Sequence, residues 1–248
     1  MISVTMLSKN SEKTIHRALR SVESLAEVVL IDTGSQDKTL EIARGFPNVQ
    51  VYEHAFTGFG DLKNLAVNYA NYDWILSLDS DEVVSKALLD EICQTQLQED
   101  SVYSFPFHNY FNGKWIKWCG WYPDRHIRLY NKTRTSFNAD FVHEGIETED
   151  LKIMQFSHPI EHFSYIKIED FLRKMQTYSS LYAEQNQYKK PSSLFKAILH
   201  AQFAFFKSYF LKRGFLGGKE GFIISVYNAQ TAFYKYLKLW EANSDSSC

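Results

Sequence analysis

The chain has 248 residues, 45% hydrophobic and 16% aromatic, enough apolar material for one large domain or two small ones. A net charge of −2 argues against a general nucleic-acid binder, but the balance is uneven: residues 189–240 carry nine Lys or Arg against one acid, Glu220, so that segment stands at +8 and the rest at −10. Cys93, Cys119 and Cys248 show neither CxxC nor metal-ligand spacing, which suits reduced thiols rather than a disulfide framework.

The opening MISVTMLSKN lacks a basic region followed by a long apolar run, and no uninterrupted apolar run reaches the roughly 18 residues of a spanning helix. The expectation is a cytoplasmic protein.

In chain order, ISVTML (2–7) alternates like a strand, and SEKTIHRALRSV (11–22) places Ile15, Ala18, Leu19 and Val22 at helical spacing, with Ser11 as a possible cap. EVVLID (27–32) is a continuous apolar strand, TGSQ a turn, and DKTLEIARGF (37–46) a helix with Asp37 near its start. VQVYEH (49–54), GDLKNLAVNYA (60–70) and DWILSLD (73–79) repeat the strand and helix pattern. Such alternation implies βαβ crossovers and a mostly parallel α/β sheet with both faces covered.

Ligands of these sheets bind outside the carboxyl ends of the strands. The polar residues there are 8–10, 32–35 and 79–82, which predicts three strand ends converging on one crevice. Beyond Leu97 the chain turns aromatic-rich: FNGKW reads as an Asn-Gly hairpin and HIRLY as a strand. From Ile168 onward it reads as helical, ending in a basic aromatic tail. The expected division is residues 1–165 and 166–248.

Asp79-Ser80-Asp81 at a strand end sets two carboxylates on a turn, where a divalent cation with oxygen preference, Mg²⁺ or Mn²⁺, would be held together with substrate phosphates. A solvated loop is the simpler alternative. Glu82 reads as the start of the next helix, where a negative charge favours the N-terminal dipole. Asp32 leads into Thr33-Gly34-Ser35, where Gly34 permits a tight turn and the carboxylate would accept from a ribose hydroxyl or a base N–H; a turn that caps the next helix is the alternative.

Taken together, SVTMLSKNSEKTIHRALRSV, VVLIDTGSQDKT and KNLAVNYANYDWILSLDSDE resemble glycosyltransferase family 2 of the GT-A fold, in order and in spacing. Ile31-Asp32-Thr33 stands where that family usually has two Asp, and Lys63 replaces a frequent Arg. Within the family, DWILSLDSDE, GWYPDRHIRLYNK, VHEGIE and EHFSYIKIEDFLRKMQTYSSLYA are most similar to bacterial lipopolysaccharide-core glucosyltransferases.

The resemblance implies an inverting, Mg²⁺- or Mn²⁺-dependent transfer from a nucleotide-diphosphate sugar, UDP-linked, to a lipid-anchored saccharide. It implies that Asp32 contacts the base, with Ser8, Asn10 and Gly34 lining the same pocket. Lys63 would lie near the diphosphate, Asp79 would face ribose and metal, and Asp81 would bind the metal.

The catalytic base, which takes the acceptor's proton, is Asp124 in YPDRHIR by position, with Pro123 in place of a preceding acid, or else Glu144 in VHEGI. Arg125 and Arg128 are candidates for acceptor or phosphate contacts, and they share a strand face only if the strand bulges. His162, and less so His143, are candidate metal or diphosphate ligands by analogy.

The tail mixes Phe, Tyr and Trp with Lys and Arg. Helical core is one reading. An amphipathic surface docked on the inner face of the cytoplasmic membrane is the one favoured by the basic excess. Two alternatives compete with the transferase. Asp79-Ser80-Asp81-Glu82-Val83 also fits the haloacid-dehalogenase phosphatase signature, although that signature normally ends a first strand. A membrane-surface protein that binds nucleotide sugar without turnover is the other.

Overall fold

The computed structural model describes residues 1–138 and 145–244. Strand β1 (Ile2–Ser8) leads to α1 (Ile15–Ser21), β2 (Glu27–Asp32) to α2 (Thr39–Arg44) and β3 (Val49–Glu53) to α3 (Phe59–Tyr69). Strand β4 (Trp74–Asp79) runs almost directly into β5 (Glu82–Val84), followed by α4 (Lys86–Gln94). Strands β6 (Ser101–Phe111), β7 (Lys114–Trp115), β8 (Arg125–Asn131), β9 (Lys152–Gln155) and β10 (Ile160–Tyr165) precede helices α5 (Ile168–Asn186), α6 (Leu194–Phe206) and α7 (Gly218–Ser244).

The sheet order is β3-β2-β1-β4-β8-β6-β10-β5, with β7 and β9 paired to β6. β1 lies parallel to both β2 and β4, and β2 parallel to β3, whereas β8 joins β4 antiparallel. The chain is thus α/β with a mixed sheet whose first four strands are parallel. Alternate residues of the same strands go to opposite faces, as strand geometry requires. Val4, Met6, Leu30, Leu76 and Leu78 pack with Ile15 and Leu19 of α1, while Val29, Ile31 and Ile75 pack with Leu62 and Ala66 of α3. All six residues of β2 are buried, which explains its unbroken apolar run.

Three local expectations are corrected. Helix α1 begins at Ile15 and its start carries no side-chain cap. Ser11 is instead spent between loops, its N–H donating to Thr39 Oγ1 and its hydroxyl meeting Ser80 Oγ at 2.7 Å. Glu82 does not open a helix: it is fully buried at the start of β5, and Ser85 caps α4 by accepting from the Leu88 N–H. Strands β9 and β10, unread in the sequence, extend the sheet.

The chain divides into two compact units, Met1–His108 with Asp124–Phe163, and Asn109–Pro123 with Ser164–Cys248. Chain order alone put 109–123 in the first part. They group with the second because Phe111, Ile116 and Cys119 share a buried cluster with Phe171 of α5 and Ile224 of α7.

The Asn-Gly hairpin forms there as read: Asn112 and Gly113 take φ of 52° and 72°, so that Tyr110 pairs with Trp115 and Phe111 with Lys114. Its tip is tied to Glu220, buried in the first turn of α7, which accepts from Lys114 Nζ at 2.9 Å and Asn112 Nδ2 at 3.3 Å.

Between α6 and α7 the chain makes a π-helical turn at Lys207–Leu211 and a 3₁₀ turn at Gly214–Gly217. This passage is close-packed: a Cβ on Gly221 would lie 1.9 Å from the Gly214 carbonyl oxygen. Gly221→Ala is therefore expected to cost about 1–3 kcal/mol through overpacking against backbone. Urea denaturation of the full chain checks this, and an unchanged midpoint would mean that the turn yields freely.

Candidate active site

The three polar strand ends do converge. β1 lies between β2 and β4, so Ser8, Asp32 and Asp79 close three consecutive strands of the sheet. Asp32 and Asp79 therefore flank β1 rather than sitting on adjacent strands. The loops are stitched together: Asn10 N–H donates to Ser35 Oγ at 2.8 Å, and Asn10 Oδ1 accepts from the Gln36 N–H at 2.8 Å. Asn10 holds a left-handed φ of 51°, which Asn tolerates better than most residues.

Asp32 is fully buried and serves the turn. Its Oδ1 accepts from the Gly34 and Ser35 N–H groups at 3.0 and 2.7 Å, and its Oδ2 accepts from the Ser8 and Ser35 hydroxyls at 2.7 and 2.6 Å. These four bonds use the acceptor capacity of the carboxylate, and through them Asp32 shapes the loop. Gly34 is exposed with φ of 94°, and a Cβ added there would meet nothing within 4 Å, so it is the conformation, not space, that requires glycine.

Around the Asp-x-Asp turn the charges interlock. Asp79 receives Lys63 Nζ at 3.5 Å and Arg128 at 3.1 Å. Arg128 also grips Glu82, whose second oxygen accepts from the Asp79 N–H at 3.1 Å. Lys63, 4% exposed at its side chain, comes from α3 and lies over the Phe137 ring.

Arg128 reaches this position because β8 bulges: Tyr103 pairs with Leu129 and Ser104 with Ile127, which leaves Arg128 as the extra residue, re-aimed out of the strand alternation. Burial opposes ionisation of Asp79, but Lys63, Arg128 and His162 outweigh it and hold the carboxyl well below the usual range. Burial pushes Glu82 up to about 7, with Arg128 opposing and Asp79 adding to the push.

His162 arrives by strand pairing. β10 runs antiparallel to β5 with His162 opposite Glu82, and the Phe163 N–H donates to the Asp81 carbonyl. This sets His162 Nε2 3.5 Å from Asp81 Oδ2.

Asp124 Oδ1 lies 3.0 Å from His126 Nε2. His126 and His162 both meet the buried Phe107 ring, with centroids 4.8 and 6.0 Å away, and Arg128 lies 5.3 Å from the same ring. Asp124 and the Asp81–His162 pair are thus joined through one aromatic side chain. Phe107 and His126 had escaped sequence reasoning; the alternation of HIRLY marks a strand but not which ring it faces.

Arg125, despite its exposure, donates to the Ser104 and Phe156 carbonyl oxygens at 2.9 and 2.8 Å, a structural clasp between β6 and the segment after β9. Glu144 and His143 lie outside the described residues. The residues that bracket them are anchored: Phe137 exchanges two hydrogen bonds with Asn64 of α3, and Asn138 two with Gly145.

Removing Glu82 takes away the fully buried one of the two carboxylates that Arg128 holds, so Glu82→Ala is expected to cost about 3–5 kcal/mol. Urea unfolding without ligand measures it, and a cost no larger than that of a surface substitution would show that Asp79 alone satisfies Arg128.

Residues 3–158 match the profile of glycosyl transferase family 2. An uncharacterized glycosyltransferase of Rickettsia typhi is 30% identical over 99% of this chain and 88% of its own length. The lipopolysaccharide core biosynthesis glycosyltransferase LpsC of Rhizobium meliloti is 24% identical over 98% of this chain and 93% of its own. In fold, the chain is similar to the mannosyltransferase PcManGT of Pyrobaculum calidifontis, solved with GDP-Man and Mn²⁺, at a TM-score of 0.56 and 13% identity over 97% of this chain and 87% of that one. The phosphatase alternative falls, since its signature here ends β4 within a different fold. With the family profile spanning the crevice, the chain belongs to glycosyltransferase family 2 and is an enzyme of the GT-A fold.

Proposed function

We propose that the enzyme transfers a hexose, glucose or a close relative, from a UDP-linked donor to a lipid-anchored saccharide such as a lipopolysaccharide inner core, with inversion and with a divalent cation. The observation that carries this reading is the meeting of Asp79, Asp81, Lys63, Arg128 and His162 at the carboxyl end of β4. The naming of LpsC supports the acceptor class. No described helix is long and apolar enough to cross a membrane, and work on a lipid-anchored acceptor calls for peripheral contact with the inner face of the cytoplasmic membrane.

The residues present fit a cation bound jointly with the donor. Among the described residues no group of three or more His, Cys, Asp or Glu is arranged to hold an ion. Mg²⁺ commonly takes one or two carboxylates and completes its shell with substrate phosphates and water. Asp81 and His162 would hold it, while Asp79 is already engaged by Lys63 and Arg128. Such an ion supplies positive charge to the departing diphosphate.

The chain's own part is positioning and proton transfer. Lys63 and Arg128 bring fixed positive charge to the diphosphate side of the crevice, and the Asp32 turn holds Thr33 to Ser35 in shape for the nucleoside. The acceptor oxygen bonds to the anomeric carbon as that carbon's bond to the diphosphate breaks, and the Asp124 carboxylate takes the hydroxyl proton. His126 keeps Asp124 oriented.

Asp81→Ala is expected to abolish transfer, and excess chelator to abolish it in the wild type. Full activity in chelator would remove the cation from the scheme. Asp124→Asn should slow transfer by about 10²–10⁴ while the thermal shift given by UDP persists. If Glu144→Gln does this instead, Glu144 is the base. A thermal-shift series of nucleotide sugars, with and without Mn²⁺, identifies the donor by mass action. Binding of a sugar nucleotide with no turnover under any condition would restore the non-catalytic reading.

A further inference from the structure

Helix α6 carries its apolar stripe outward. Phe195, Leu199, Phe203, Phe206 and, one turn into the π-helical segment, Phe210 recur at spacings of three and four, the period of one helix face. They are 70, 47, 58, 49 and 50% exposed. The opposite side of α6 is occupied: Ala197 is fully buried and His200 stacks on Tyr236 of α7 at 3.9 Å. Leu211 at the end of the π turn, and Phe215 and Leu216 past it, are also half exposed or more, at 60, 49 and 52%. A contiguous apolar face of this kind marks an interaction site.

Charge identifies what covers it. Between Glu184 and Glu220 there is no acidic residue and there are seven Lys or Arg. Lys207, Lys212, Arg213 and Lys219 cluster about the turn, all exposed. Glu220 is buried on Lys114 and Asn112, and of these four cations Lys219 lies beside it at 3.8 Å, which leaves Lys207, Lys212 and Arg213 as the exposed rim. A second copy of the chain would bring like charges together across a two-fold axis. A bilayer with anionic headgroups answers both halves of the face, taking the aromatic stripe into the headgroup and acyl boundary and the cations at its surface.

We infer that the outer face of the α6 to α7 hairpin, led by Phe203, Phe206 and Phe210 and rimmed by Lys207, Lys212 and Arg213, is a docking surface for an anionic lipid bilayer. The choice of a bilayer over an acidic protein rests on the reading of a lipid-anchored acceptor.

The test is co-sedimentation of the full chain with phosphatidylcholine vesicles, with and without phosphatidylglycerol, together with donor hydrolysis in the same samples. The wild type should bind the phosphatidylglycerol vesicles and release with salt. Lys207→Gln with Lys212→Gln should lower partitioning about 30-fold. Phe206→Ser with Phe210→Ser should lower it by a similar factor, with far-UV circular dichroism unchanged because both rings lie on the surface.

Wild-type binding that ignores phosphatidylglycerol, variants that bind as the wild type does, or light scattering that shows a dimer dissolved by the Phe substitutions would each overturn the docking surface. Hydrolysis should be unaffected in both variants. A chain that docks but turns over no sugar nucleotide would sink the enzymatic reading alone.

Discussion

The guanidinium of Arg128 sits between two carboxylates that could not share the end of β4 without it. Glu82 is fully buried and Arg128 nearly so, and a buried charge left unpaired is costly on the scale of a whole domain's stability. The pairing depends on the bulge in β8. In a regular strand the alternation would carry position 128 to its ordinary face, and a one-residue slip reverses every side chain beyond it. From this contact the site follows in steps. Glu82, neutralised, begins β5 in place of a helix; β5 pairs with β10; and β10 delivers His162 to Asp81.

The same logic separates the roles of the two acids of the Asp-x-Asp turn. Asp79 is compensated from inside by α3 and β8, which keeps it ionised at any moderate pH and fixes its orientation. Asp81 faces a histidine across a strand pair. A site whose charges are already held by side chains reorganises little when a phosphate arrives, and that preorganisation is the main electrostatic resource of an enzyme. Asp32 extends the principle to the strand end on the other side of β1, where four hydrogen bonds make one carboxylate the frame of a loop.

What could be read in the sequence was what periodicity and turn chemistry encode. The strand and helix alternation of residues 2–79, the Asn-Gly hairpin and the helical tail all follow from local pattern, and so did the convergence of three strand ends. The partners of charged groups did not, because they come from far along the chain: Arg128 is 46 residues from Glu82, and Glu220 is 106 from Lys114. Asp32 illustrates the difficulty. Asp-Thr-Gly-Ser reads equally as a ligand contact or as a turn, and only the position of Ser8 on the next strand shows where the carboxylate's hydrogen bonds go. The grouping of 109–123 with the helices was hidden for the same reason, since its apolar residues advertise burial but not against what.

The uneven charge of the chain acquires a physical meaning from these contacts. In the first unit, cations such as Lys63 and Arg128 are consumed by acids at the crevice, so the count of charges overstates what solvent meets. In the tail the reverse holds. The single acid of residues 189–240 is buried on Lys114 and Asn112, 3.8 Å from Lys219 Nζ, so the exposed charged side chains of that segment are cationic. A buried acid that also anchors a hairpin therefore serves two ends, holding the second unit together and leaving its outer face positive.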